Sequence, residues 1–238
     1  MPRFDLELVS STPLAPAVRS LVLRRTDGAP IEFRPGQFVS LLAPSRPDLE
    51  KRSYSIASAP VGTDTLELAV TRVTGGAFSN LLHELRVGDV LTALGPEGLF
   101  TRAADDPRPA LFVGTGTGLA PLRSMAAAAL GQGAGAPMTF LLGFRHEEDI
   151  LYRAELERWA AEHPHVSVHF TLSQPAASWS GLTGYVQTHL ADLVRAHPTP
   201  QDLQIYICGL TKMVTAVKDL ARGELALPRR HVHTERFD

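Results

Sequence analysis

The chain has 238 residues, of which 44% are hydrophobic and 20% charged, and its formal net charge at pH 7 is -2. This length accommodates two modest domains, and the composition is that of a chain that folds rather than of a disordered segment. Because charges of both signs are mixed along the sequence, we expect no broad basic face that could bind the phosphates of a nucleic acid.

The cysteine content and the apolar runs restrict the cofactors and the location. Cys208 is the only cysteine, so the chain forms neither an intramolecular disulfide nor an iron–sulfur cluster held by four thiolates of its own. No stretch approaches the roughly 20 apolar residues of a membrane helix, and the N-terminal segment lacks the pattern of a secretory signal. The expected location is therefore the cytoplasm, with no membrane span.

Short strand-like runs separated by turn residues fill the N-terminal half. They are residues 4–8, 18–23, 37–42, 53–57, 66–73 and 90–94. This spacing, without a long helical period, predicts a small antiparallel barrel or sandwich. One helix is predicted at 79–85, where three leucines share a face.

The pattern changes after residues 101–109, a polar stretch that we predict to be a linker between domains at 1–102 and 103–238. Continuous apolar runs follow at 110–113, 138–142, 166–170 and 204–208, and they alternate with helical patterns at 119–130, 150–161, 186–196 and 212–221. Such runs suit strands buried on both faces, so the alternation predicts a doubly wound parallel α/β domain. Ligands of these sheets bind beyond the carboxyl ends of the strands.

The segment 111–121, LFVGTGTGLAP, joins a buried strand to a helix through Gly114, Gly116 and Gly118. Glycines at this point let backbone amides approach a pyrophosphate at the positive end of the helix. A tight turn without a ligand is the alternative interpretation. The spacing GxGxG differs from the dinucleotide fingerprint GxGxxG, and the next strand ends in GFR rather than in an acidic residue, so this is not an ordinary dehydrogenase unit.

Two patterns in the N-terminal half suit a ligand that has both a phosphate and a planar ring. Residues two apart on a strand share a face, so Arg52 and Tyr54 of KRSYSIAS can contact one ligand, the guanidinium at a phosphate and the phenol ring on a heterocycle. An ordinary half-exposed strand is the alternative. In TGGAFS, residues 74–79, adjacent glycines and Ser79 at a helix start form a second anion site. Anion sites in both halves indicate two phosphate-bearing ligands.

The pairs His163/His165 and His231/His233 raise the question of a metal site. No cysteine or carboxylate cluster completes a ligand set around them. We therefore predict no metal and expect these four histidines to face solvent.

Five motifs occur in this order: RSYS (52–55), GGAFS (75–79), GPEG (95–98), GTGTGLAP (114–121) and CG (208–209). Together they resemble the ferredoxin–NADP reductase superfamily over nearly the whole chain. The resemblance implies a six-stranded antiparallel barrel that binds FAD, followed by a Rossmann-like parallel α/β domain that binds NAD(P)H.

The same resemblance implies a flavoenzyme. It would transfer a hydride between NAD(P)H and FAD, and single electrons between FAD and a separate carrier such as ferredoxin or flavodoxin. The alternative is a flavin-bearing electron-transfer subunit of a larger oxygenase or dehydrogenase complex.

In the barrel, the resemblance implies that Arg52 contacts the FAD pyrophosphate, that Tyr54 stacks on the isoalloxazine and that Ser55 hydrogen-bonds near flavin N5. Further FAD-binding residues implied in the same way are Ser53, Val70, Thr71, Gly76, Ala77, Phe78 and Ser79.

In the second domain, the resemblance implies that the turn of Gly116, Thr117 and Gly118 cradles the nicotinamide cofactor, with Thr117 close to its ring. Cys208 and Gly209 would line the hydride-transfer pocket.

The C-terminal HTERFD is similar to the family's terminal Glu-x-aromatic, so that Glu235 and Phe237 would approach the flavin from the side opposite Tyr54. The chain has phenylalanine where plant-type members have tyrosine. The implied catalytic residues are Ser55, Cys208 and Glu235.

The cofactor preference is predicted from the residues that follow the third parallel strand. NADP-using relatives carry Ser-Arg or Thr-Arg there, and this chain has Ser173 and Gln174. A neutral amide adds no charge for a 2′-phosphate, so we expect NADH to be favoured, with weak discrimination. Arg145, at the end of the neighbouring strand, is the alternative contact for that phosphate, and Ser173 is retained as a cofactor-binding residue.

Overall fold

The computed structural model describes residues 2–237, which divide into two compact units. The first comprises the described part of Met1–Ala104 together with Arg123–Gln132, and the second comprises Asp105–Leu122 with the described part of Gly133–Asp238. The boundary near residue 104 lies inside the predicted linker. The assignment of the two cofactors to residues 1–102 and 103–238 stays a prediction.

Six antiparallel strands, one complete helix and residues 123–132, most of which belong to a second helix described below, form the first unit. The elements are β1 (Arg3–Ala15), β2 (Val18–Arg25), β3 (Phe38–Leu42), β4 (Arg52–Ser55), β5 (Thr65–Thr71), α1 (Ala77–Glu84) and β6 (Val90–Glu97). The strand order is β4-β3-β6-β1-β2-β5, and an antiparallel bridge between Ile56 and Leu68 links the two outer strands. This closure confirms the predicted barrel.

The core of the barrel follows from the period of two along its strands. Leu6 and Leu8 of β1 and Leu21 and Leu23 of β2 are fully buried, whereas Glu7 and Val22, which lie between them, are half-buried. Burying one such side chain contributes about 1.5 to 3 kcal/mol. The burial of these side chains therefore stabilises the sheet. Strand β4 belongs to this sheet, and α1 follows its strand β5.

A six-stranded parallel sheet and its helices form the second unit. The strands are β7 (Ala110–Thr115), β8 (Met138–Phe144), β9 (Val166–Leu172), β10 (Leu182–Thr183), β11 (Gln204–Leu210) and β12 (Val232–Phe237). The helices are α2 (Leu119–Gly131), which starts in this unit, α3 (Arg153–Glu162), α4 (Gln187–Ala196) and α5 (Thr211–Arg222). The strand order β10-β9-β8-β7-β11-β12 confirms the predicted Rossmann-like sheet.

The strand order reverses direction between β7 and β11. From β7 the chain moves through β8 to β9 on one side, and from β11 it moves to β12 on the other side. The carboxyl ends of two neighbouring strands whose connections diverge leave a crevice, and ligands of open α/β sheets bind there. In this chain β7 ends at Thr115, and β11 ends at Leu210, directly after the Cys208–Gly209 pair.

Strand β12 and the start of α3 differ from the sequence prediction. The segment of β12 has no apolar run, because it is an edge strand whose Thr234 and Arg236 are exposed. Helix α3 begins at Arg153 rather than at residue 150 because Tyr152 is in the left-handed conformation, with φ of 52°.

The prediction that all four paired histidines face solvent is wrong. His231 is buried, and His163, His165 and His233 are half-buried. Their rings pack on neighbours: His163 and His165 lie 5.7 Å apart, and His233 stacks on Tyr206 at 4.5 Å. Burial lowers the pKa of His231. Within residues 2–237 there is no group of three or more side chains placed to hold a metal.

Within the same residues, every helix is too short or too polar to cross a membrane.

Candidate functional site

Strand β4 presents a cation and an aromatic ring on one of its faces. Arg52 and Tyr54 are two residues apart and therefore point the same way. The Arg52 side chain is 56% exposed, and its guanidinium contacts the Glu50 carboxylate at 3.1 Å and the Lys51 carbonyl at 3.1 Å. An exposed ion pair of this kind contributes little, so a ligand phosphate can replace it.

The Tyr54 ring packs on the first turn of α1. It lies 6.4 Å from the Phe78 ring, with 27° between the two planes. Burial raises the pKa of Tyr54 to about 12, and the positive charge of Arg52 opposes this increase. The phenol is therefore protonated at neutral pH, and its ring is held beside the start of the helix.

The start of α1 is built by Gly76 and Ser79. Ser79 Oγ donates to the Gly76 carbonyl at 3.0 Å and accepts from the Val73 N–H at 3.1 Å. A Cβ at Gly76 would lie 2.8 Å from Ser79 Oγ and 2.9 Å from Val73 Cβ, so a larger residue does not fit. No side chain among the described residues caps this helix, and the first amides of a helix lack intrahelical acceptors. The amides of Ala77 and Phe78 are therefore suited to an anion.

The remaining barrel residues predicted for FAD lie on two strands. Ser53 is exposed, with its hydroxyl 3.0 Å from that of Ser40, and Ser55 is buried. Both serines occupy the face of β4 opposite Arg52. Val70 and Thr71 end β5, where the Val70 carbonyl bonds the His83 ring at 2.9 Å. Their contacts with FAD stay predictions.

Two side chains of α2 hold the segment that follows β4, and the sequence analysis missed them. Arg123 Nη1 donates to the Ala57 carbonyl at 2.8 Å and to the Glu67 carboxylate at 2.9 Å, and Ser124 Oγ donates to the Ser58 carbonyl at 2.7 Å. The Arg123 and Glu67 side chains are 13% and 16% exposed. We call Arg123, Ser124 and Glu67 the Arg123 clamp. Its signal was the polar pair RS within an otherwise apolar helical segment.

The three glycines of the turn after β7 have different surroundings. A Cβ at Gly114 would lie 3.0 Å from Leu122 Cδ1, and a Cβ at Gly118 would collide with the carbonyl of Cys208. At Gly116, which has φ of 54°, the space within 4 Å of such a Cβ is open. Two glycines therefore allow close packing, and the middle one supplies the turn in which Thr117 lies half-buried.

Near the end of β11, a buried, protonated cysteine is followed by a glycine. Cys208 is fully buried, and this burial, followed by the charge of Glu235, raises the pKa of its thiol well above the usual range. Gly209 has φ of 143°, which favours glycine, and a Cβ there would collide with Thr115 Oγ1. The thiol is thus a small neutral group rather than a nucleophile.

Strand β12 places the two predicted C-terminal residues beside β11. Glu235 pairs with Cys208 and Phe237 pairs with Leu210 in the parallel register. Both are half-buried and share one face of the strand. The structure thus brings Glu235 to the thiol, while the approach of either residue to a flavin stays a prediction.

The residues considered for a 2′-phosphate lie side by side at the ends of β8 and β9. The Ser173 N–H donates to the Phe144 carbonyl at 3.0 Å, and the Gln174 N–H donates to the Arg145 carbonyl at 2.9 Å. The side chains of Arg145 and Gln174 are both exposed. A phosphate placed here can therefore meet either residue.

Comparison with known proteins identifies a domain family for each half. The oxidoreductase FAD-binding domain family matches residues 5–101, and the oxidoreductase NAD-binding domain family matches residues 112–219. The chain is 50% identical over 241 residues to Ferredoxin--NADP reductase B of Sorangium cellulosum, covering 99% of this chain and 98% of that protein.

Longer proteins also match. The chain is 34% identical to the glycine betaine monooxygenase reductase subunit of Pseudomonas aeruginosa, covering 80% of this chain and 52% of that protein. Among solved structures, the ferredoxin reductase in carbazole 1,9a-dioxygenase has a TM-score of 0.86 at 26% identity, covering 100% of this chain and 70% of that chain. The chain thus spans about half to two thirds of these relatives.

Proposed function

The chain belongs to the ferredoxin–NADP reductase family, and we propose that it passes electrons between a nicotinamide nucleotide and a separate ferredoxin or flavodoxin. It is a flavin-dependent oxidoreductase whose cofactors are FAD and NAD(P)H. The observation that carries the proposal is the presence, in one chain, of a barrel that matches the FAD-binding family and a parallel sheet that matches the NAD-binding family, each with a glycine turn at the start of a helix.

The barrel presents hydrogen-bond donors and an aromatic ring that suit FAD. The Arg52 guanidinium and the amides at the start of α1 suit the pyrophosphate, and the Tyr54 ring, supported by Phe78, suits the planar heterocycle. FAD, when bound, accepts a hydride and releases electrons singly, and this chemistry belongs to the cofactor. The chain contributes binding, orientation and exclusion of water.

The second unit fits the nucleotide by its backbone. The turn of Gly116, Thr117 and Gly118 offers amides to the pyrophosphate at the start of α2. Beside it lie the neutral, buried Cys208 thiol and Gly209, whose missing Cβ leaves the room that Thr115 Oγ1 and the Met213 methyl group occupy. In our proposal the nicotinamide ring lies against this end of β11. Ser55, in the same proposal, orients the reacting atoms in the barrel, and burial, assisted by the charge of Glu235, keeps the Cys208 thiol protonated.

The acceptor is proposed to be a separate protein. Cys208 is the only cysteine in the sequence, so a cluster held by four thiolates cannot lie on this chain. A second candidate function is supported by the similarity to the glycine betaine monooxygenase reductase subunit: the chain would then supply electrons to an oxygenase component.

Spectroscopy and rapid kinetics test the proposal. The purified protein, supplemented with FAD, should show flavin absorbance, and NADH or NADPH should bleach it in a stopped-flow experiment. A panel of ferredoxins, flavodoxins and oxygenase components should then reoxidise it selectively. A protein that takes up no FAD, or a bound flavin that neither nucleotide reduces, would contradict the proposal. Transfer to an oxygenase component alone would favour the second candidate.

A further inference from the structure

The second unit contains a cavity of about 230 Å³ near the amino ends of its strands. One wall is a row of residues that pair across β7, β8 and β9, namely Leu111, Thr139 and Ser167. Each of them is the second residue of its strand. The strands are parallel, and the glycine turn after β7 follows their carboxyl ends. The cavity therefore lies toward the opposite edge of the sheet from that turn.

The last turn of α4 and the segment after it form the facing wall. They contribute Leu193, Ala196 and His197, and Leu203 adds a further apolar surface. Ala196 and Pro198 are exposed, so the cavity is open to solvent on this side. Because one water molecule takes about 30 Å³ in the liquid, the cavity has room for a ligand of about eight non-hydrogen atoms.

The polar side chains of the cavity have unused hydrogen-bonding capacity. Ser167 Oγ donates to Thr139 Oγ1 at 3.0 Å, which leaves the Thr139 hydroxyl hydrogen for another acceptor and the Ser167 oxygen for another donor. His197 Nδ1 accepts from the Thr199 N–H at 3.1 Å, so the proton of the neutral ring is on Nε2. The ring of His169, which also lines the cavity, makes no hydrogen bond with any of the residues 2–237.

The electrostatics of the cavity favour a neutral ligand. None of its lining residues is Asp, Glu, Lys or Arg. Burial, followed by the charge of His189, lowers the pKa of His169, and the Thr199 amide requires an unprotonated Nδ1 on His197. Both rings are therefore neutral at pH 7. An ion that entered would lose hydration without gaining a counter-ion.

We propose that this cavity binds a small, neutral cyclic amide. Its carbonyl oxygen accepts from the Thr139 hydroxyl and from His197 Nε2, and its N–H donates to Ser167 Oγ. An amide matches the cavity because it carries one strong acceptor beside one donor, and the ring supplies the apolar surface that the leucines require. The proposal is independent of the function proposed above.

The test titrates the purified full chain, with FAD added, with δ-valerolactam and follows backbone amides by two-dimensional ¹⁵N NMR. Two rings of the same size are the controls: cyclohexanone lacks the N–H, and piperidine is cationic at neutral pH. The lactam should shift signals saturably around residues 139, 167–169 and 193–203, and saturating NAD⁺ should not reduce its binding. It should bind about three- to tenfold more tightly than cyclohexanone, and piperidine should not bind.

Substitutions assign the hydrogen bonds. Thr139→Val keeps the branched shape without the hydroxyl, so it should weaken both the lactam and cyclohexanone by about three- to tenfold. Thr139→Ser should restore lactam binding. Ser167→Ala should weaken the lactam alone. The matched control is Thr171→Val on the same face of β9, because its hydroxyl donates to the Gly184 carbonyl at 3.0 Å and lies outside the cavity lining. This variant should keep the wild-type affinity for the lactam.

Four results would overturn the proposal. The first is the absence of a saturable shift in these segments. The second is a set of shifts at residues 115–118 that NAD⁺ abolishes, since the lactam would then occupy the nucleotide site. The third is equal affinity for the lactam and either control ring. The fourth is a loss of lactam affinity in Thr171→Val as large as that in Thr139→Val.

Discussion

The barrel and the parallel sheet prepare their cofactor regions in opposite ways. On β4 the candidate contacts are side chains, namely the Arg52 guanidinium and the Tyr54 ring, whereas the start of α1 offers backbone amides beside Gly76. At the ends of β7 and β11 the structure depends on missing side chains, because a Cβ at Gly118 or Gly209 would meet backbone or side-chain atoms. Strand β4 should therefore be sensitive to deletion of atoms, and the sheet region to their addition.

The largest effect is expected from adding one carbon to the sheet. In Gly118→Ala the new Cβ collides with the Cys208 carbonyl, and backbone atoms of two packed elements cannot move cheaply. We expect a loss of about 3 kcal/mol or more in the free energy of unfolding, measured by urea denaturation. In the matched change Gly116→Ala the new Cβ lies in open space, and only the φ of 54° is unfavourable for alanine. This change should lower the free energy of unfolding by about 1 kcal/mol. Equal losses would refute the packing explanation.

Deletion from the barrel is tested at the Arg123 clamp. Arg123→Met removes the guanidinium that donates to the Glu67 carboxylate, which also accepts from the Ser20 hydroxyl at 2.6 Å. Removing one partner of a largely buried pair should cost about 2 to 3 kcal/mol in the free energy of unfolding, and it should also weaken FAD retention because Ala57 follows β4 closely.

The control for the clamp is Arg195→Met. Arg195 pairs with Glu224 at 2.8 Å, but both side chains are more than half exposed, so less than about 1 kcal/mol should be lost. Arg123→Lys should restore part of the FAD retention. If Arg123→Met unfolds at the same urea concentration as Arg195→Met, the clamp does not stabilise the barrel.

The next effect concerns FAD affinity. Arg52→Ala removes a charge-assisted contact to phosphate, which should weaken FAD binding by about ten- to a hundredfold in a fluorescence titration. Arg46→Ala is the matched control, since Arg46 also forms an exposed pair, with Asp48 at 2.7 Å, and lies outside the predicted site. Ser79→Ala should weaken FAD as well, by loosening the turn at Gly76. Full flavin content in both Arg52→Ala and Ser79→Ala would show that the phosphate site lies elsewhere.

A rate effect is expected at Ser55, which is buried on β4. If its hydroxyl orients the reacting atoms, Ser55→Ala should keep FAD and reduce the rate of flavin reduction by about tenfold at saturating nucleotide. Stopped-flow absorbance measures this directly. An unchanged rate would leave the hydroxyl with a structural role only.

The opposite character of the two regions also explains how far the sequence could be interpreted. Side-chain patterns can be recognised in the sequence alone, as RSYS and the apolar runs of β7, β8, β9 and β11 show. The barrel and the sheet predicted from such patterns are confirmed. Strand β12 has no such signal, because an edge strand needs few apolar residues. The different surroundings of Gly114, Gly116 and Gly118 depend on what packs against each glycine, and the Arg123 clamp joins residues 56 positions apart. The polar pair RS marks the position of the clamp on α2, but neither the surroundings of the glycines nor the partners of Arg123 can be deduced from a local pattern.

The smallest effect, and one that involves charge rather than packing, concerns the choice between NADH and NADPH. Arg145 and Gln174 lie side by side at the ends of β8 and β9, with the Gln174 N–H 2.9 Å from the Arg145 carbonyl. Gln174→Arg would place a second guanidinium where the chain has an amide, and a charge-assisted contact is roughly twice as strong as a neutral one. We expect wild type to favour NADH weakly, and the variant to shift the ratio of kcat/KM toward NADPH by about tenfold.

Arg145→Ala in the same assay shows whether the existing guanidinium already contacts the 2′-phosphate. A wild type that prefers NADPH by about a hundredfold, and loses that preference in Arg145→Ala, would mean that Arg145 alone sets the specificity and that Gln174 is not the residue that limits it.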